Sequence, residues 1–233
     1  SPTVLTQGGP YTEAGYGEGG LVWIKKRNAS QAHCLLTTDI DLPTNIYYPI
    51  NFLSTNADNA TSDIYGGGGT APWPSSYLSN GFSLYNNQNY NGSGNTYTSW
   101  TFRKAPKFFS VVTYTGTGSA TTIPHNLGSV PGMIIVKRTD SLSNWAVYHR
   151  SLTSANHSLL LNLTGAQDET GYFANTTPTD TEFSVGVSVV NNTGGTYVAY
   201  LFAHNAGGFG DDGEQNVISC GSVSGQQTIN LGW

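Results

Sequence analysis

The sequence predicts an all-β protein built of two tandem, related β-sandwich units of jelly-roll type. Three observations carry that expectation. Short runs of β-branched and aromatic residues are separated by clusters of Gly, Asn, Asp and Pro, with turn signals at roughly eight- to twelve-residue intervals. No stretch sustains the helical period of 3.6 residues. The second half of the chain also repeats the first, the signature of a tandem architecture.

The repeat sets the order of elements. GLVWIKKRNAS (20–30) matches PGMIIVKRTDS (131–141), each a β-branched or aromatic run ending in Lys-Arg. GFSLYNNQNYNGSGNTYTSWTF (81–102) matches TEFSVGVSVVNNTGGTYVAYLF (181–202), with Phe82 on Phe183, Tyr97 on Tyr197, Trp100 on Tyr200 and Phe102 on Phe202. The offset falls from 111 at the first block to 100 at the last, so unit 1 carries about eleven extra residues, and IYGGGGTAPWPSSY (64–77) is the obvious insertion. In unit 2, MIIVKR is a continuous β-branched run, and NWAVYHRSL alternates, with Trp145, Val147 and His149 on one face. SLLLNLT, EFSVGVS and TYVAYLFAH follow; with VVTYTG and ATTIPHNL in front, unit 2 has seven or eight short strands. The organisation reads as unit 1 over 1–109 with an insertion at about 64–80, unit 2 over 110–210, and a linker plus terminal hairpin over 211–233.

That hairpin repeats a beginning. VISCGSVSGQQTINLGW (217–233) has the pattern of VVTYTGTGSATTIPHNLG (111–128), the leading strand pair that unit 1 lacks. The expectation is that it completes unit 1, either within its own chain or in a neighbour by strand addition, with Val217, Ile218, Cys220, Ile229, Leu231 and Trp233 as the assembly residues. A third reading is that a further unit continues beyond the segment. The alignment puts Cys34 on Trp145 and Cys220 on Tyr114, so docking on unit 1 could bring the two cysteines close; otherwise they are small buried side chains.

Of the 233 residues only 10% are charged, against about 25% in ordinary soluble domains, while 12% are aromatic. Polarity without charge suits exposed β surface on secreted or virion proteins. A net charge of −5 without a basic cluster argues against nucleic acid. No apolar run approaches the ~20 residues of a membrane span, and no signal peptide is recognisable. The opening Ser-Pro reads as a processed start or a piece of a longer product.

NLGSVPGMIIVKR, NWAVYHRSL, GTYVAYLFAHNAGGFG and SWTFRKAPKFFSVVTYTGTG together resemble the repeated modules of tail-fibre and other virion structural proteins of tailed bacteriophages, particularly marine and cyanobacterial ones. The resemblance covers roughly residues 20 to 233. It implies a β-rich component of the virion exterior, extracellular, in trimeric or other symmetric assemblies with copies of itself and other virion proteins. It carries no catalytic residues, and the insertion at 64–77 departs from its pattern.

The residues offer little for catalysis. The five histidines are dispersed, without HxxxH or CxxC spacing, and no cofactor or metal is expected. His125, in PHNLGSVPG, reads as fixing a turn by hydrogen bonding. Asp211, Asp212 and Glu214 in GDDGE read as a solvated hinge, with calcium binding or a carboxylate pair as the sharper alternatives. GxSxG is absent, and GGGG at 66–69 lacks the Lys-Ser/Thr of a phosphate loop. Trp23, Trp100 and Trp145 fall on strand positions and are expected in the core. Trp73, held between Pro72 and Pro74, and Tyr65, Tyr77, Tyr85 and Tyr90 form an aromatic group in polar surroundings. Such a group suits subunit contact, stacking on a host-surface glycan, or local packing. A non-enzymatic virion component is therefore the leading expectation, a glycan-binding module the second, and a polysaccharide depolymerase a remote third.

Overall fold

The structure, a computed structural model, describes residues 19–40, 52–60, 76–78, 81–84, 90–226 and 228. The protein is all-β. Among the described residues there is no α-helix, only a single 3₁₀ turn at Ser188–Val190, and no helix is long and apolar enough to cross a membrane. The chain divides into two compact units, Ser1–Lys104 and Ala105–Trp233. The boundary precedes residue 109 because the turn at Ala105 belongs to the second unit: the amide of Lys107 donates to the Leu127 carbonyl (2.6 Å).

Unit 1 contains β1 (Gly20–Lys26), β2 (Cys34–Thr37), β3 (Phe52–Leu53), β4 (Ser76–Leu78), β5 (Gly81–Ser83) and β6 (Tyr97–Arg103). Unit 2 contains β7 (Phe109–Thr115), β8 (Thr121–Pro124), β9 (Pro131–Arg138), β10 (Ala146–His149), β11 (His157–Leu160), β12 (Asp168–Glu169), β13 (Glu182–Val185) and β14 (Thr196–Ala203). The main sheet of unit 1 runs β3-β2-β1-β6, and that of unit 2 runs β12-β11-β10-β9-β14-β7. The four strands β3-β2-β1-β6 and the four strands β11-β10-β9-β14 therefore share one antiparallel topology.

The ladders show which residues are equivalent. Trp23 pairs with Trp100, and Ile135 with Tyr200; Lys26 pairs with Tyr97, and Arg138 with Tyr197. Trp23 thus corresponds to Ile135 and Lys26 to Arg138, one residue away from the match of Lys-Arg on Lys-Arg in the sequence. Cys34 accordingly takes the place of Ala146, not of Trp145, and His33 takes that of Trp145. One residue matters, because a slip of one in a strand moves every side chain to the other face.

Local geometry repeats as well. Arg27 donates to the Thr96 carbonyl as Thr139 does to that of Thr196, both at 2.8 Å. The Tyr97 hydroxyl accepts the Gly92 amide (2.9 Å), and the Tyr197 hydroxyl accepts that of Asn192 (2.8 Å). Each is a tyrosine reaching back five residues to fix the turn that enters its strand, as in the tyrosine corner of β-sandwiches. Gly94 and Gly194 close these turns at φ +76° and +73°, a conformation that favours glycine.

In unit 2 the smaller layer is the β8–β13 ribbon, with Phe183 opposite Ile123. Ile123, Phe183 and Val185 pack with Ile134, Val136, Tyr148, Tyr197 and Leu201 into one core. In unit 1, Phe82 and Leu84 pack on Val22, Ile24, Cys34, Leu36 and Tyr90. There β5 pairs with β4, Tyr77 standing opposite Phe82 as Ile123 stands opposite Phe183. The end of the insertion thus gives β5 a pairing strand, as β8 does for β13. The alternation expected over NWAVYHRSL is seen in direction: Ala146 and Tyr148 enter the core, while Trp145 and Val147 stand on the opposite face, and all four are buried.

Candidate functional site: the exposed strand of unit 1

Equivalent positions in the two units have different surroundings. On one face of the unit 2 sheet stand Ile135, Lys137, Trp145 and Tyr200. Trp145 and Tyr200 stack at 6.5 Å, and the buried Lys137 lies with its Nζ 6.0 Å from the Trp145 ring while donating to the Arg138 carbonyl. In unit 1 the same four positions hold Trp23, Lys25, His33 and Trp100. Trp23 meets Trp100 edge-on at 5.8 Å and donates its indole N–H to His33 Nδ1 (2.8 Å); Lys25 Nζ donates to the Gln31 carbonyl (2.6 Å). Burial, and then the Lys25 charge, lower the His33 pKa below its usual value, which keeps the ring neutral and able to accept.

The decisive difference is exposure. Tyr200 is 1% exposed and Trp100 is 48% exposed, although Trp100 was expected in the core. All of Thr98–Thr101 is exposed, whereas every residue of β14 after Thr196 is buried. Strand β14 lies between β9 and β7; among the described residues, the ladder of β6 is with β1 alone.

Asparagines one position before each tyrosine-corner turn tell the same story. Asn191 is fully buried: its Oδ1 accepts the Thr117 amide (2.7 Å), and its Nδ2 donates to the carbonyls of Ser119 (2.7 Å) and Gly186 (2.6 Å). Thr117 and Ser119 lie in the β7–β8 loop. Asn91, its counterpart, is exposed and donates to the Leu84 carbonyl (3.0 Å). A side chain shaped to hold that loop is present in unit 1, at the surface.

The aromatic group expected around the insertion divides. Tyr65, Trp73 and Tyr85 lie outside the described residues, and Tyr77 is placed by its backbone in β4. Tyr90 is a correction: at 3% exposure it is part of the unit 1 core, so it packs and does not bind. Of the expected assembly residues, Ile229, Leu231 and Trp233 lie outside the described residues, and Val217 is exposed. Ile218 accepts the Asn205 amide (2.9 Å), and Cys220 is buried, its amide donating to His204 Nδ1 (2.9 Å). The close approach of Cys220 requires Gly132, where a Cβ would stand 2.8 Å from the sulfur. This part of the segment is therefore anchored on unit 2. Cys34 and Cys220 are both free thiols, and burial raises both pKa values.

The histidines of unit 2 are held by local contacts; His157 Nδ1 lies 2.9 Å from Ser154 Oγ, and its Nε2 lies 4.0 Å from Glu169 Oε1. His125, His149 and His204 each accept a backbone amide at Nδ1, from Leu127, Ser151 and Cys220, and burial lowers the pKa of each. The Leu127 contact is the turn-fixing role expected of His125. Asp212 accepts the Glu214 amide (3.0 Å) within a turn closed by the Phe209–Gln215 bridge. Among the described residues no three His, Cys, Asp or Glu side chains converge as a metal site requires.

A family described as a domain of unknown function (DUF7483) matches residues 7–214. The chain belongs to that family. The family's domain embraces both units, and the match stops just before the segment that restarts the repeat. No curated protein and no solved structure matches the chain.

Proposed function

We propose that the protein is a non-enzymatic structural component of a tailed-phage virion, a tail fibre, appendage or capsid decoration, assembling through strand and aromatic contacts. The observation that carries this reading is the unequal state of two equivalent sheets: β14 is buried between two strands, while β6 presents Thr98–Thr101 and Trp100 to solvent. An exposed edge strand with neither charge nor proline at its centre is a template for pairing, which folded monomers avoid. Low charge and the sequence resemblance to phage modules point the same way. The test is the native mass of the chain across concentration, together with mass spectrometry of purified virions. A self-associating protein recovered from the particle is expected; a monomer at every concentration, absent from particles, refutes the reading.

A second reading is favoured by one observation. Trp23 and the half-exposed Trp100 offer an aromatic surface beside Lys25 and His33, as sugar-stacking sites do. A glycan array probed with the parent protein, Trp100→Ala and Trp73→Ala tests it. Binding that either substitution abolishes supports a host-surface receptor function, and a blank array removes it.

A further inference from the structure

We propose that β6 of unit 1 is the acceptor edge for residues 218–224 of a second copy of this chain, so that copies join head to tail by strand addition. The inference rests on the assembly reading above and names its surface, its partner and its register.

The donor is identified by how each unit leads into the next segment. Two residues past the end of β6, the Ala105 amide donates to the carbonyl of Phe109, the first residue of β7 (3.0 Å). Two residues past the end of β14, the Asn205 amide donates to the carbonyl of Ile218 (2.9 Å). Aligned on that bond, FSVVTYTG (109–116) meets ISCGSVSG (218–225): Ser110 on Ser219, Val111 on Cys220, Thr113 on Ser222, Tyr114 on Val223 and Gly116 on Gly225. This moves the match three residues from the one the sequence suggests, because the connector after β14 is longer and folds back through the Phe209–Gln215 bridge. Val111 and Cys220 are both buried; Ile218 and Ser219 are half-buried where Phe109 and Ser110 are buried, and residues 221–226 are exposed. Val223, at 69%, is among the most exposed apolar side chains described.

The acceptor is identified by unit 2. Strand β7 follows β6 in the chain, yet it pairs with β14, the last strand of the unit it opens. By the same rule the segment after β14 serves a unit downstream of it, and the first unit of another copy has the matching edge. Transferring the β7–β14 register sets Cys220 opposite Trp100, Ser222 opposite Thr98 and Val223 opposite Tyr97. Val223 then occupies the place of Tyr114, which stacks on Tyr197 at 5.0 Å. The arrangement also separates the cysteines. Cys220 lies three strands from Cys34, about 14 Å at ~4.8 Å per strand, beyond the ~7 Å limit for a disulfide.

The test uses the full chain carrying either Thr98→Cys or Ser222→Cys, mixed under mild oxidation, with the parent and a slipped pair, Ser99→Cys with Ser222→Cys, as controls. The expected result is a covalent heterodimer from the first pair only. Val223→Asp, at an exposed site, leaves the monomer folded and weakens self-association by at least about tenfold, since a charge would be buried at the joint. An oligomer that gives no heterodimer, or equal linking of the slipped pair, overturns the proposed edge while the assembly reading stands. A chain carrying both Thr98→Cys and Ser222→Cys that links only within itself does the same. A protein that stays monomeric at every concentration overturns both.

Discussion

Asn91 and Asn191 occupy equivalent positions, and replacing each by alanine isolates what the surrounding structure contributes. Asn191→Ala removes three hydrogen bonds of 2.6–2.7 Å from a fully buried site and leaves the Thr117 amide and the Gly186 and Ser119 carbonyls without that partner. A net contribution near 1 kcal/mol per bond, with the desolvation cost of the stranded groups, gives about 3–5 kcal/mol. Asn91→Ala removes one bond at an exposed site, and the expected cost is below about 1 kcal/mol. Because a two-unit chain need not unfold in one step, a single denaturation midpoint would blur the comparison. Amide hydrogen exchange resolves it: opening free energies in β7 and β14 should drop for Asn191→Ala, and those in β1 and β6 should stay nearly unchanged for Asn91→Ala. Equal losses in the two units would refute the reasoning, since they would mean that Asn91 holds its unit together as Asn191 does.

Three further outcomes follow from the same structure. Tyr200→Ala should cost about 3–5 kcal/mol of stability in unit 2, as truncations of buried aromatic residues do, while Trp100→Ala should cost the monomer well under half of that, read by the same exchange measurement. Melting temperature should fall as pH drops from 7 to 5. His33, His125, His149 and His204 all have pKa values lowered from 6.5 in the fold, so their contribution is fully present above about 6.5 and is lost on acidification, when the unfolded chain takes up protons the native state resists; a flat profile would contradict the hydrogen-bond-accepting roles assigned to them. Asp140, held at about 2 by its hydrogen bonds with Arg138, should stay ionised throughout that range. Thiol titration of the denatured, unreduced protein should find two thiols per chain, and fewer would contradict the free state of Cys34 and Cys220.

Much of the architecture could be read from residues alone. The Thr-Tyr pairs at 96–97 and 196–197, the Lys-Arg runs and the Phe positions announced a duplicated β unit, because strand period, turn residues and repeat spacing are all local properties of a sequence. What could not be read was register and exposure. The matching Lys-Arg pairs drew the alignment one residue off, and only the ladder between Trp23 and Trp100 shows that Cys34 stands where Ala146 does. Tyr90 looked like a surface aromatic in an Asn-rich stretch and is in the core; Trp100 looked like core and is half exposed. Both are consequences of which strands lie beside them, and no residue type encodes that.

The sequence by itself determined the all-β class, the two units and the restart of the repeat after the second. Tertiary structure alone decided that β14 is enclosed while β6 faces solvent, and that the restart lies anchored at Ile218 and Cys220. The physical reason is the range of the forces involved. Strand propensity and turns act over a few residues, whereas an edge is open or closed according to a partner that the chain brings from far away in sequence, or from another molecule.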